Sequence, residues 1–253
     1  MNFGEITPYG RSFSEYCLMF ALSERDKGRR ILGVGDGPSS FNTEATASGW
    51  QVISVDPAYQ LTAAQMETRL ETSVEQMVNA VSLNPRHWIW SHFKSASDLL
   101  EHRRTVHRGF CADFAAASPG TRYIAAALPR LPFASGSFDL ALCSHLLFSW
   151  SGALDLSFHR ESISEMLRVA SEVRIFPTVR SLGVRRSRYV DVLRDELEAR
   201  GFAIHIEPMK RAGGDHEGAE QLVISAPARR SAGEDGPRSS GLTQRETQCQ
   251  TPH

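Results

Sequence analysis

The stretch 29-RRILGVGDGPSSFN-42 decides the fold. A short apolar run breaks into glycine at 33, 35 and 37 and then into Pro38, so a buried strand ends in a turn that few side chains obstruct. Glycine at such positions admits positive φ and lets another group approach the backbone where a Cβ would stand. Pro38 suits the first turn of a following helix, where its missing N–H has no intrahelical partner and its φ is preset. The stretch therefore predicts a strand, a glycine turn and a helix.

Reading outward, 13-FSEYCLMFAL-22 is apolar on nearly every side, as a short helix packed between other elements would be. On the other side, 50-WQVISVD-56 is a second strand that ends in an acid before Pro57, and 62–81 has helical spacing. Residues 84–118 hold two further helical patterns, the aromatic 87-HWIWSHF-93 and a segment opening with a Ser/Asp cap at 95–98, which together predict a helical insertion over about 60–120. Strands follow at 123–128 and 138–144, then a helix at 154–170, a strand at 172–177, a helix at 188–201 and strands at 202–208 and 221–227. Strands alternating with helices predict a doubly wound α/β fold, its sheet mostly parallel with an antiparallel C-terminal strand. One domain is expected over 1–227, and 228–253, nearly without apolar residues, reads as a disordered tail.

Composition excludes some functions. With 28 Lys and Arg against 29 Asp and Glu the net charge is -1, so the global basic field that nucleic-acid binding uses is absent. The four cysteines, at 17, 111, 143 and 249, show neither CxxC spacing nor histidine partners at zinc distances, so no disulfide framework or metal site is expected. The first residues lack the basic and apolar regions of a signal peptide, and no apolar run reaches the roughly 20 residues of a membrane span, which predicts a cytoplasmic protein without a membrane partner.

In a doubly wound sheet ligands bind beyond the carboxyl ends of the strands, near the switch point. Gly35 and Gly37 stand at the first such turn. Asp56, about twenty residues later at the tip of the second strand, is where a carboxylate accepts ribose hydroxyls. The pair implies a ribose-bearing cofactor, either a dinucleotide or S-adenosylmethionine (SAM). A GxGxxG fingerprint read from Gly33 meets Pro38 in place of its last glycine, and read from Gly35 it meets Ser40, which weakens the dinucleotide reading.

The string ILGVGDGPS resembles the first motif of the class I SAM-dependent methyltransferases, with Gly35 and Gly37 on its two glycines, and VISVDP is similar to the second, ending in the ribose-binding acid Asp56. LPRLPFASGSFDLALCSHLL, which opens at Leu128, looks like their stretch from adenine pocket to fourth strand. GRSF-x-EY, GDGP-x-SFN, SVDP, LCSH and EVRIFP together resemble a bacterial small-molecule subfamily. The resemblance spans about 13–227 and implies SAM as cofactor, with Leu128 and Ser144 beside it. One departure stands out. The acid that closes the first strand in the family is Gly33 here, so the usual anchor of the methionine amino group is missing, while Asp36 offers a carboxylate three residues on. Arg11, in YGRSF, is a candidate for the cofactor carboxylate, because a guanidinium can fork onto it.

Methyl transfer displaces an activated sulfonium, so the protein supplies position, dryness and sometimes a base. His145, after the fourth strand, is the candidate catalytic base, with pocket shaping as its alternative role. His159 shares a helical face with Ile163, Met166, Leu167 and Ala170 and reads as a core histidine. The aromatic segment 87–93 reads either as packing or as a cage for a cation. The run 101-EHRRTVHR-108 reads as a solvated helix face, with Arg103 or Arg104 held in view for an anionic acceptor. The leading expectation is methyl transfer from SAM to a small-molecule acceptor. The alternatives are a lyase that cyclises SAM to azetidine-2-carboxylate and methylthioadenosine, for which an amine without an anchoring acid would be suited, and a non-catalytic SAM-binding module.

Overall fold

A computed structural model of the chain describes residues 9–83, 93–118, 120–180, 185–209 and 220–226. The expected tail at 228–253, residues 87–92 of the aromatic segment and Cys249 lie outside these. The described elements are α1 (Phe13–Phe20), β1 (Arg30–Val34), α2 (Phe41–Ala47), β2 (Gln51–Val55), α3 (Ala63–Leu83), α4 (Ala96–Ala116), β3 (Tyr123–Ile124), β4 (Phe138–Ser144), α5 (Leu156–Val169), β5 (Ala170–Phe176), α6 (Tyr189–Ala199), β6 (Ala203–Pro208) and β7 (Glu220–Ser225). Among the described residues no helix is long and apolar enough to cross a membrane.

The strands form one sheet in the order β3-β2-β1-β4-β5-β7-β6. β1 pairs in parallel with both β2 and β4, β4 with β5, and β2 with β3, whereas β7 runs antiparallel to both neighbours. This is the doubly wound, Rossmann-like α/β sheet expected, with the antiparallel strand at the C-terminal end. Because the chain leaves β1 toward β2 and returns to its other side as β4, the switch point lies between β1 and β4.

Strand alternation shows why helices cover both faces. Ile31, Val52, Leu140 and Leu142 pack with Tyr16, Met19 and Phe20 of α1 and with Phe41 and Ala45 of α2. Their neighbours Leu32, Val34, Ala141 and Cys143 turn the other way, to Ile163, Met166 and Val169 of α5 and Val190, Leu193 and Leu197 of α6. α3 and α4 stand between β2 and β3 as the inserted helical pair, with Met66, Leu70 and Phe110 gathered against Tyr59 and Tyr123.

Three local expectations change. α2 begins at Phe41 rather than at Pro38, because the first helical amide, Phe41 N–H, is already taken by the carbonyl of Arg11 (3.1 Å). β3 stops at Ile124 instead of reaching Leu128. Its partner supplies the reason: Asp56 N–H bonds to Ile124 O (3.2 Å), and the next residue, Pro57, has no N–H with which to extend the ladder. The run 101–108 is not a solvated face, since Arg103 and His107 are buried with Val106, and only Glu101, Arg104, Thr105 and Arg108 are exposed. Burial of Arg103 is possible because α1 presents Glu15, fully buried, whose two carboxylate oxygens accept from both ends of the guanidinium at 2.6 and 2.7 Å. His159 is the core histidine expected, with its Nδ1 on Asp155 O at 2.7 Å and its ring against Phe148 and Tyr189.

Candidate functional site

The carboxyl ends of β1, β2, β4 and β5 converge, and the glycine turn lies at their centre. Gly35 and Gly37 take left-handed φ of 69° and 53°, a region that Cβ-bearing residues enter only with strain. The turn is fastened on several sides. Gly35 N–H donates to Val55 O (2.9 Å), Gly37 N–H donates to Asp56 Oδ2 (3.0 Å), and the Tyr59 hydroxyl donates to Gly37 O (2.7 Å). Asp56 takes Ala58 N–H on its other oxygen at 2.8 Å, capping the short 3-10 turn at 57–60. Burial pushes the Asp56 carboxyl up, against these two amides. The sequence placed Asp56 at a strand tip, and the structure adds that it touches the glycine turn directly. Leu146 also stands over Gly35, where a Cβ would meet its Cδ2 at 2.7 Å.

Asp36 answers the question raised by Gly33. Its carboxyl group folds back over Gly33 so closely that a Cβ at 33 would overlap it. There it accepts from the Tyr16 hydroxyl (2.7 Å) on one oxygen and from Ser54 Oγ (2.5 Å) on the other. An acid therefore does stand beside the end of β1, delivered from three residues downstream. Burial raises its pKa to about 7, while the Ser54 and Tyr16 hydrogen bonds pull it down and the charge of Asp56 adds to the rise. The native carboxyl thus binds its proton more tightly than the unfolded one, so this group's contribution to stability is full below about pH 4 and declines as pH rises through about 7. Asp36→Asn is expected to lose that decline. Melting curves at pH 5 and pH 8 should show the variant gaining on the wild type at the higher pH, and parallel pH dependences would contradict the assignment.

A strap before α1 crosses this turn. Gly10, at φ 56°, lies so close to Pro38 that a Cβ would come within 2.5 Å of its carbonyl oxygen. Arg11 N–H then donates to Ser39 Oγ (2.9 Å), and Ser39 Oγ donates to Asp36 O (2.6 Å). The Arg11 side chain reaches Glu15 Oε1 (3.2 Å) with one terminal nitrogen and His145 Nε2 (3.2 Å) with the other. A capping box at Ser12 and Glu15 starts α1 immediately after the strap.

His145 is half-buried and has a left-handed φ of 51°, held by its N–H on Phe176 O at 2.6 Å. Its Nδ1 lies 2.9 Å from Ser144 Oγ. A guanidinium can only donate, so Nε2 carries the lone pair and the ring proton resides on Nδ1, donated to Ser144. The structure thus joins Arg11, Gly35, Asp36, Gly37, Asp56, Ser144 and His145 at one end of the sheet. Leu128 lies apart in kind: it is buried in the apolar cluster that includes Val34, Val55 and Leu147. Tyr16, Ser54 and Glu15 were not singled out in the sequence. Tyr16 and Glu15 share the EY string with no cue to their partners, and Ser54, a polar residue inside an apolar strand, was the available signal.

No protein-family model matches the chain. A protein of Methanocaldococcus jannaschii described as uncharacterized is 29% identical over 211 residues, which cover 83% of this chain and 94% of that protein. Among solved structures, the chain is similar to the PH0226 protein of Pyrococcus horikoshii OT3, with a TM-score of 0.47 and 11% identity over 88% of this chain and 97% of that one. It is also similar to magnesium protoporphyrin IX methyltransferase of Synechocystis PCC 6803 with bound SAM, with a TM-score of 0.44 and 12% identity over 84% and 76% of the two chains.

Proposed function

We propose that the chain is a SAM-dependent methyltransferase acting on a small-molecule acceptor. The observation that carries this reading is the contact between the glycine turn and the acid of β2, in which Gly37 N–H is bonded to Asp56. That contact puts the glycine backbone at 37 next to a carboxylate with lone pairs left for ribose hydroxyls. SAM supplies a methyl group already activated on a sulfonium. The residues of the chain bind and orient: Asp56 takes the ribose, Arg11 the amino-acid carboxylate, and the turn the approach of the ligand to the backbone. As the acceptor's bond to the methyl carbon replaces the carbon–sulfur bond, whose electron pair leaves on sulfur as the neutral thioether S-adenosylhomocysteine, His145 Nε2 would take the acceptor's proton and Ser144 Oγ would steady the resulting imidazolium through Nδ1–H. The balanced charge of the chain favours a small acceptor over a nucleic acid.

The cyclising lyase was suited to a site whose cofactor amine lacks a nearby acid. Asp36, folded over Gly33, puts a carboxyl group there, so the geometry does not favour that reading.

Asp56→Ala should weaken SAM binding by about 1.5–3 kcal/mol, the range for hydrogen bonds to a charged group, without unfolding the protein. Calorimetry on folded variant decides it: an unchanged affinity refutes the ribose assignment, and NADH binding tighter than SAM refutes the cofactor. Incubated with SAM alone, the protein should leave it intact, and enzyme-dependent release of methylthioadenosine would overturn methyl transfer. With an acceptor present, His145→Ala should slow turnover by about 10²–10⁴-fold, and a loss of only a few-fold would leave the histidine a pocket-shaping role.

A further inference from the structure

The segment that leaves β5 carries four arginines, at 180, 185, 186 and 188, and the carboxylates around it balance only some of them. We propose that Arg180 and Arg185 are the binding point for an oxyanion group of the acceptor, a carboxylate or a phosphate, so that the substrate class is an anionic small molecule. The inference rests on the methyl-transfer reading given above and adds the chemistry of its second substrate.

The strand end that holds His145 also places this hairpin. Phe176 closes β5 with its carbonyl on His145 N–H (2.6 Å), and the chain runs on through Thr178 and Val179, both buried, to Arg180. It returns by an antiparallel bridge between Val179 and Arg186, with Ser187 N–H on Thr178 O at 2.8 Å. That register sets Arg180 opposite Arg185, both exposed. Like charges directly opposite each other on paired strands repel, and an anion bound between them offsets the cost. The neighbouring charges are committed elsewhere: Arg186 donates to both oxygens of Glu220 at 2.8 and 2.9 Å, Asp191 is shared by Arg186 and Arg194, and Arg188 lies over the Tyr189 ring. Among the described residues no carboxylate lies within ion-pair distance of Arg180 or Arg185.

A second set of contacts ties the hairpin to the site. After His145 the chain turns through 148–154, and Gly152 leaves room there for the Arg180 guanidinium, since a Cβ at 152 would come within 2.8 Å of its Nη2. The Ser187 hydroxyl donates to Ser151 Oγ (3.0 Å), so both arms of the hairpin rest on the segment that follows the candidate base. A guanidinium fork suits the paired oxygens of a carboxylate or a phosphate. With the cofactor carboxylate given to Arg11, an oxyanion at Arg180 and Arg185 belongs to the acceptor, which is then held by its charge beyond β5 and offers its reacting atom toward His145.

The test uses ¹⁵N-labelled full-length protein loaded with S-adenosylhomocysteine, the loading being measured by calorimetry. The probe is the nitroxide 3-carboxy-PROXYL, a small carboxylate whose unpaired electron broadens nearby amide signals, and its neutral 3-carbamoyl counterpart is the control. The carboxylate should broaden the Gly152 and His145 amides most, and saturably, while the carbamoyl compound should not. Arg180→Gln combined with Arg185→Gln should weaken that binding by about tenfold, as two partly exposed ion pairs would, and leave the affinity for S-adenosylhomocysteine unchanged. Inorganic phosphate displacing the nitroxide at lower concentration than acetate assigns a phosphate group, and the reverse order assigns a carboxylate. Equal broadening by the two nitroxides, broadening centred away from these amides, or broadening that survives the double substitution overturns the proposal. So does a loss of S-adenosylhomocysteine affinity in the double variant, which would give the pair to the cofactor carboxylate. Absence of S-adenosylhomocysteine binding by the wild type fails the cofactor reading instead, and the two nitroxides still decide whether the arginines hold an oxyanion.

Discussion

Arg103→Ala should lower the stability of the fold by about 3–5 kcal/mol, the cost of leaving one member of a buried ion pair without the other. Glu15 is wholly enclosed between α1 and α4, and burial alone would raise its pKa. The Arg103 charge and hydrogen bonds, together with His102 and Arg11, outweigh burial and hold it well below the usual carboxylate range. Removing Arg103 leaves Arg11 at 3.2 Å and His102 at 3.1 Å, so the loss should fall toward the lower end of that range. The native pKa is depressed, so this contribution is present above the unfolded carboxylate value, near pH 4.3, and fades as pH falls below it. Chemical denaturation at pH 7 and pH 3.5 should therefore show a gap between wild type and variant that narrows in acid. Glu15→Gln combined with Arg103→Met should recover part of the loss, because no charged carboxylate is then left buried without its partner and the amide oxygen can still accept from Ser12 N–H. A variant as stable as wild type at pH 7 would mean that α4 is not held to α1 by this pair. Arg103 also donates to Gly10 O at 3.1 Å, so the same substitution should loosen the strap and weaken SAM binding together with stability.

That ion pair also marks where the sequence stops being legible. The sheet could be read because an apolar strand carries its own evidence: Ile31, Leu32 and Val34, and likewise Leu140, Ala141, Leu142 and Cys143, are apolar on both faces, as a strand covered by helices on both sides must be. The glycine turn and Asp56 could be read because backbone conformation and strand-tip position follow from residue type alone. Arg103 could not be read as buried. Leu99, Arg103, Val106, His107 and Phe110 lie on one buried face of α4 at helical spacing, but with two polar members the stripe looks like a mixed, solvated surface. Only the location of Glu15, about ninety residues away in sequence, makes that face a buried one. The same holds for the contact of Arg11 with His145, 134 residues away in sequence. Long-range polar pairs leave no period in the sequence, and they are what completes this site.

Gly33→Ala should cost about 3 kcal/mol or more, a large effect for one methyl group, and the reason lies in the turn three residues on. The added Cβ would occupy the space of the Asp36 carboxyl group. Overpacking in a dense interior costs about 1–3 kcal/mol. Here the group displaced is a buried acid, and moving it breaks its hydrogen bonds with the Tyr16 hydroxyl and Ser54 Oγ, leaving buried polar groups unpaired at a further cost of about 1–3 kcal/mol each. For a chain of this size, the melting temperature should fall by roughly 6–12 °C for a 3 kcal/mol loss. A second substitution separates the specific cause from general disorder of the turn. If the clash with Asp36 is responsible, Gly33→Ala should cost far less in an Asp36→Gly background, because the group it displaces is no longer there. The two changes should then couple by about 1–3 kcal/mol in a double-mutant cycle. Additive losses would mean that Gly33 is required for its own backbone and not for Asp36. Gly33→Asp with Asp36→Gly extends the test to ligand binding: it moves the acid to the end of β1, so it should bind SAM more tightly than Asp36→Gly alone. Equal affinities would show that the carboxyl group beside β1 supports the turn without helping to hold the cofactor.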